Sequence, residues 1–451
     1  MRIDSQLRPA TLAPRLADVF AHAATKIRSI DRSWEPSAGA PVFTIGGRYT
    51  SRGWTEWTQG FQFGSALLQF DATDEAEFLE IGRARTLSAM APHLTHIGVH
   101  DHGFNNISTY GNLWRLQREG RMPDNAWEQA FYELALKASG AVQAARWTEI
   151  AGGGGFISSF NGPHSLFVDT LRTLRSLAVG HHLGHVLLGE NDRRISLLDR
   201  LLHHAEATAR YIVYYGEGRD AYDVRGRVAH EALFNTNDGN FRAPSSQQGY
   251  SPFSTWTRGL AWAMLGFAEE LEFLATVPDA DFEEHGGRAS VNAWMIKAAK
   301  AACDFYIDNT ASDGVPYWDT GAPNLHRLGD WRDRPADPFN AFEPVDSSAA
   351  AIAAQGLLRL GRYLGDDRYR QAGLTVAQSL FAAPYLSTSP DHQGLLLHTI
   401  YHRPNGWDAI PAGRSVPCGE SCMWGDYHLL ELALYLRRVI GAGPYLTFWG
   451  S

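Results

Sequence analysis

Residues able to hold a carboxylate, stack on a flat ring or move a proton fall in a few short stretches of this chain. The longest is Gln248-Gly249-Tyr250-Ser251-Pro252-Phe253-Ser254-Thr255-Trp256-Thr257-Arg258-Gly259-Leu260-Ala261-Trp262, a turn running into an apolar helix through Leu265, Phe267, Leu271 and Leu274. A helix start offers unpartnered backbone N–H groups and the positive end of the macrodipole, which together favour a bound carboxylate. Arg258 adds a planar fork that can grip a carboxylate through two hydrogen bonds. Trp256 and Trp262 add flat apolar faces of the kind on which sugar rings stack. The ordinary alternative is an arginine paired with a local acid and tryptophans in a core.

Other stretches carry similar chemistry. Trp54-Thr55-Glu56-Trp57-Thr58-Gln59-Gly60-Phe61 sets three aromatics at a helix start, with Trp57 and Phe61 on one face, suited to a sugar-site wall or to a core. His100-Asp101-His102-Gly103-Phe104 places a carboxylate just before a helix, where Asp is also a common cap. His93, His96, His100 and His102 have no second ligand cluster, so no metal is expected. In Phe160-Asn161-Gly162-Pro163-His164-Ser165-Leu166-Phe167-Val168-Asp169-Thr170-Leu171, Asp169 sits early in a helix among Phe167, Val168 and Leu171. Apolar company pushes an acid toward its neutral form, which a general acid needs, whereas pairing with Arg172 would be structural. His230 lies in an extended stretch; Asp346-Ser347-Ser348-Ala349 and Trp424-Gly425-Asp426-Tyr427 each read as a helix start or cap.

The elements that must position these groups are almost all helices. Leu12, Leu16, Val19, Phe20, Ala23 and Ile27 mark a first amphipathic helix. Further helical patterns run over 54–70, 74–91, 104–118, 125–147, 163–188, 193–215, 253–275, 290–308, 347–364, 369–383 and 422–440, with one extended stretch at 224–234. About a dozen helices with little strand must bury their faces on each other in a bundle, a solenoid or a closed toroid, and no visible repeat supports the solenoid. Loops 278–288 and 324–344 exceed a simple connection and are expected to cover a pocket or an interface.

Composition bounds the rest. The 451 residues, 44% hydrophobic and 20% charged, describe a compact folded chain without a linker-like segment, hence one domain over 1–451. A net charge of -9 without a basic cluster argues against nucleic acid or an anionic membrane as partner and leaves small neutral or acidic ligands. Cys303, Cys418 and Cys422 are too few for a disulfide framework or a zinc site. The start of the chain lacks the apolar core of a signal peptide, and no long apolar run follows, so a cytoplasmic protein is expected.

Taken together and in order, Trp57-Thr-Gln-Gly-Phe61, His100-Asp101 with Gly103-Phe104, Val168-Asp169-Thr-Leu, His230, Gln248-Gly-Tyr-Ser through Arg258-Gly-Leu-Ala-Trp262, Asp346-Ser-Ser-Ala-Ala and Trp424-Gly-Asp-Tyr427 resemble the unsaturated glucuronyl hydrolases, glycoside hydrolase family 88, and the related uronide hydrolases. The resemblance spans nearly the whole chain. It implies an all-α fold, an (α/α)6 barrel of six helical hairpins with minor β content, and no cofactor. It also implies release of a terminal 4,5-unsaturated uronic acid from an oligosaccharide by hydration of the double bond. By motif, Asp169 would be the acid/base and Asp101 its partner, with Trp57, Phe61, His100, Phe160, His230, Gln248, Arg258 and Trp262 binding substrate. Arg258 as carboxylate clamp is an inference from guanidinium geometry.

The chain departs from the family pattern at Ser251-Pro252-Phe253-Ser254-Thr255-Trp256, where two acids are usual, and at Phe160, where a tryptophan is expected. Two other readings therefore stand beside the first. One is a β-glucuronidase acting on saturated terminal glucuronides with the same aspartates as an inverting pair. The other is a non-catalytic carbohydrate-binding helical domain, which would need neither acid. The chain is expected to work as a monomer or a homo-oligomer.

Overall fold

Apolar patterning sorts the helices into two kinds. In the computed structural model, which describes residues 1–54 and 56–450, helices with one buried stripe alternate along the chain with helices buried on nearly every side. Helix Ala13–Ser33 buries Leu16, Val19, Phe20, Ala23, Ile27 and Ile30 and turns its charges outward. Helix Thr257–Leu274 buries every residue but Glu272. A helix apolar all round must lie inside.

Six such runs make an inner wall: Gln59–Thr73, 102–118, 170–182, Thr257–Leu274, Ser347–Leu364 and Met423–Ile440. Each packs on the next, and Met423–Ile440 packs back on Gln59–Thr73, which closes the ring. Ala13–Ser33, Ala76–Ala89, Ala126–Ala145, Leu197–Tyr211, Arg288–Asp308 and Asp367–Leu380 alternate with these and lie outside. The fold is thus all-α, a barrel of six helical hairpins. Short strands lie in the connections: hairpins over 43–50, 147–157 and 186–196, and a three-stranded sheet in the order Ser165–Phe167, Glu231–Phe234, Phe241–Ser245. Among the described residues, no helix is long and apolar enough to cross a membrane.

Several boundaries differ from the sequence reading. The single helix expected over 163–188 is instead a strand, helices Thr170–Thr173 and Arg175–His182, and a second strand Val186–Leu188. Leu166 and Phe167 pair antiparallel with Ala232 and Glu231, and the residues after His182 turn through Gly184 at a positive φ that ends the helix. The extended stretch expected over 224–234 shortens to Glu231–Phe234, and the helix expected from Trp54 begins at Gln59. Thr55, within that motif, lies outside the described residues, as does Ser451. In loop 278–288, the 3-10 turn Asp279–His285 packs on helix Arg288–Asp308, and neither this loop nor 324–344 is among the described residues lining the main cavity.

Candidate active site

The inner helices all begin at one mouth of the ring, around an open cavity of about 680 Å3. Trp57, His100, Asp101, Asp169, Trp256, Arg258 and Trp262, at or just before the starts of inner helices, line it together with Phe160 and Gln248. Close approach of two helix starts sets the centre. A Cβ added to Gly103 would lie 2.2 Å from the Thr173 carbonyl oxygen, so only glycine lets the run after Asp101 pack this tightly on the turn after Asp169.

That contact brings two carboxylates onto one imidazole nitrogen. His100 Nε2 lies 3.3 Å from Asp169 Oδ1 and 3.8 Å from Asp101 Oδ1. The ring is fixed from several sides. The His100 carbonyl accepts from Gln143 Nε2 at 2.9 Å and from Thr173 Oγ1 at 2.8 Å, while its imidazole stacks on Phe160 at 6.2 Å and meets the edge of Phe167 at 5.7 Å. Asp101 and Asp169 both occupy N-cap positions, yet among the described residues neither side chain caps its helix. Their carboxylates face the cavity instead.

Burial is the largest single influence on each of the three; it prevails at Asp101 and is outweighed at Asp169 and His100. Burial, with a smaller push from Asp169, lifts Asp101 to about 6 against the pull of His100. For Asp169 burial also pushes upward, but the hydrogen bond and charge of His100, helped by His230, hold it below its ordinary value. His100 is raised, because Asp101 and Asp169 outweigh its desolvation. The expectation that apolar company keeps Asp169 neutral is therefore corrected: His100 favours the Asp169 carboxylate, and the two acids favour a proton on His100. Nor does Arg172 pair with Asp169; it forms ion pairs with Glu269 at 2.6 Å and Glu431 at 3.0 Å, deeper in the barrel.

Arg258 lines the cavity but is not an open fork. Nη1 pairs with Asp346 Oδ2 at 2.9 Å and bonds the Ile400 carbonyl; Nη2 donates to Gln248 Oε1 at 2.9 Å and to the Tyr401 carbonyl at 2.8 Å. All four Nη hydrogens are engaged, which corrects the two-bond clamp read from the sequence. What the guanidinium does is fix Gln248, which lines the cavity. His230 is buried behind this turn: its Nδ1 accepts from the Gln247 backbone N–H at 2.9 Å, and its ring packs on Phe167 and Trp256. Asp319 holds the same turn, accepting from the Tyr250 backbone N–H at 2.8 Å.

The aromatic walls divide in the same way. Trp57 stacks on Trp424 at 5.0 Å, and Trp262 packs on Phe104 at 4.8 Å, so the faces left over meet the cavity. Phe61 is fully buried beneath Trp57, Phe104 and Tyr427 and backs the wall rather than forming it. Phe160, 43% exposed, stands at the rim 6.1 Å from Trp54, itself 73% exposed. Sequence reasoning missed the opposite rim, Tyr401, His402, Asn405 and Trp407, with Arg52 over the Trp407 ring at 4.6 Å. The Asp408 carboxylate ties this loop by accepting from the Tyr401 and His402 backbone N–H groups. Its only advance signal is the Pro404-Asn405-Gly406 turn between aromatic and histidine residues.

No family model matches the chain. An unsaturated glucuronyl hydrolase of Bacillus sp. (strain GL1) is 25% identical over 400 residues, covering 85% of this chain and 87% of the relative. An unsaturated chondroitin disaccharide hydrolase of Streptococcus pyogenes serotype M1 is 24% identical over 392 residues, covering 84% and 81%. The crystal structure of the Bacillus sp. GL1 unsaturated glucuronyl hydrolase superposes with a TM-score of 0.71 at 22% identity, covering 95% of this chain and 98% of that one. The chain is thus similar along most of its length to the unsaturated glucuronyl hydrolases and has their α/α-barrel fold.

Proposed function

We propose that the chain is a glycoside hydrolase that releases a terminal 4,5-unsaturated glucuronyl residue from oligosaccharides by hydrating its double bond, with residues 1–451 acting as one catalytic domain. The observation that carries this reading is the pair of aspartates at N-cap positions, uncommitted to their helices and sharing the His100 nitrogen at one end of an aromatic-walled cavity. The names of the relatives support the substrate class.

In this mechanism Asp169 gives a proton to carbon 4, positive charge develops at carbon 5 and the ring oxygen, and Asp169, now a carboxylate, takes a proton from the water that adds at carbon 5. The resulting hemiketal opens and the neighbouring sugar leaves. Asp169 starts ionised beside protonated His100, and the substrate resets that balance. An entering uronate displaces water, and desolvation raises a carboxyl pKa while it lowers that of an imidazolium, so the proton passes across the 3.3 Å contact from His100 to Asp169. Asp101, its pKa lifted by burial, orients the sugar. Gln248, positioned by Arg258, and the faces of Trp57 and Trp262 hold the ring, with Phe160 at the rim.

The test is incubation with lyase-generated unsaturated disaccharides beside an intact aryl β-glucuronide. Loss of the conjugated double bond's ultraviolet absorbance is the expected result. Aryl release without that loss would overturn the hydration reading in favour of a saturated glucuronide as substrate.

A further inference from the structure

Outer helices of a closed barrel meet solvent on one side, and that side should be polar. Helix Ala126–Ala145 breaks the rule. Trp127, Phe131 and Leu134, spaced four and three apart, are 82%, 40% and 66% exposed along one stripe. The stripe continues through half-buried Lys137, Ala138 and Ala141, so a single charge interrupts it. Beside it, Arg83 of helix Ala76–Ala89 pairs with Glu128, and Leu87, one turn on from Arg83, is also exposed. A contiguous exposed apolar stripe of this kind marks an interaction surface.

We infer that this face joins two copies of the chain in a two-fold dimer. The stripe is complementary to itself. Two copies of the helix laid antiparallel about Leu134 set the bulky end of each against the small end of the other. Trp127 meets Ala141, Ala130 meets Ala138, Phe131 meets Lys137, and Leu134 meets its own copy on the axis. Such an isologous match is what a two-fold interface requires, with ring faces available to the lysine. Charge points away from a lipid surface. Interfacial helices carry basic residues on their polar flanks, whereas Asp124, Glu128 and Glu133 flank this stripe in a chain of net charge -9.

Leu134→Cys tests the pairing directly, since the three native cysteines are buried. A residue on the axis faces its own copy, so mild oxidation of the full-length variant should give a disulfide-linked dimer at high yield, while Asn237→Cys, exposed elsewhere, should not. Sedimentation velocity over a concentration series should give twice the chain mass for the wild type, and the monomer for Leu134→Asp and for Ala141→Trp, which fills the space opposite Trp127. Circular dichroism and activity should be unchanged in both. A wild type that stays monomeric overturns the proposal, whether it floats with phospholipid vesicles or binds nothing. So does a Leu134→Asp chain that remains dimeric, or equal cross-linking at Asn237→Cys.

Discussion

Asp101 and Asp346 hold the same position relative to their helices and put it to opposite uses. Asp346 Oδ1 accepts from the Ser348 and Ala349 backbone N–H groups at 3.0 and 3.4 Å, and its Oδ2 pairs with Arg258. Asp101, just before residue 102, spends nothing on its helix and lies 3.8 Å from His100. A short polar residue at a helix start is normally there to cap. An aspartate that declines the cap while buried is held in place at a cost in stability.

The cost at Asp101 has a sign and a pH window. Burial first, then Asp169, lifts its pKa from 3.8 to about 6, so above pH 6 the folded state carries a charge it disfavours, while below pH 4 both states are neutral. Asp101→Asn should therefore stabilise the protein by up to about 3 kcal/mol at neutral pH, fading to nothing below pH 4, while lowering activity. Urea unfolding at several pH values checks this; equal stability of variant and wild type at pH 7 would contradict it.

Arg258 and Gln248 separate stability from binding. Arg258→Ala leaves Asp346, fully buried, without its partner and should cost about 3–5 kcal/mol, visible in thermal unfolding. Gln248→Ala leaves that ion pair in place and should raise KM with little change in melting temperature. A comparable loss of stability in both variants would place Gln248 in the framework instead.

Gly103→Ala should act on both. The new methyl meets the Thr173 backbone at 2.2 Å, so the two helix starts must part, at a cost of about 1–3 kcal/mol. His100 and Asp169 part with them, and kcat should fall with KM little changed. Wild-type kcat in this variant would show that their spacing is not critical.

The same geometry explains what the sequence made legible. Helices 347–364 and 423–440 are readable to within a residue because the apolar run of the first opens at the Asp346 cap and closes at Gly365, and that of the second closes at Gly441. Residues 163–188 are not, since a short apolar run such as Ser165–Phe167 fits a buried strand or a helix equally until its partner strand, dozens of residues on, is known. The two acids are legible as motifs. The state of Arg258 is not, because its partners Asp346, Ile400 and Tyr401 lie 88 to 143 residues away. The rim at 401–407 has no periodic pattern to read, and the proton's place on His100 depends on a contact between residues 69 apart.

That proton predicts a basic limb in the pH profile. The His100–Asp169 pair must enter the reaction with one proton, which it loses as pH rises through the raised His100 pKa, above 6.5. Plots of kcat/KM should fall on that side, and His100→Gln should move the limb to the pKa of Asp169 alone. A limb in the same position in wild type and variant would assign the proton to another group.

Asp169→Asn tests the central claim most directly. Turnover of an unsaturated disaccharide, followed by loss of double-bond absorbance, should drop by at least about 10²-fold to 10⁴-fold, with melting temperature and KM close to wild type. Turnover within a few-fold of wild type in a folded variant would contradict the assignment of Asp169 as the proton donor.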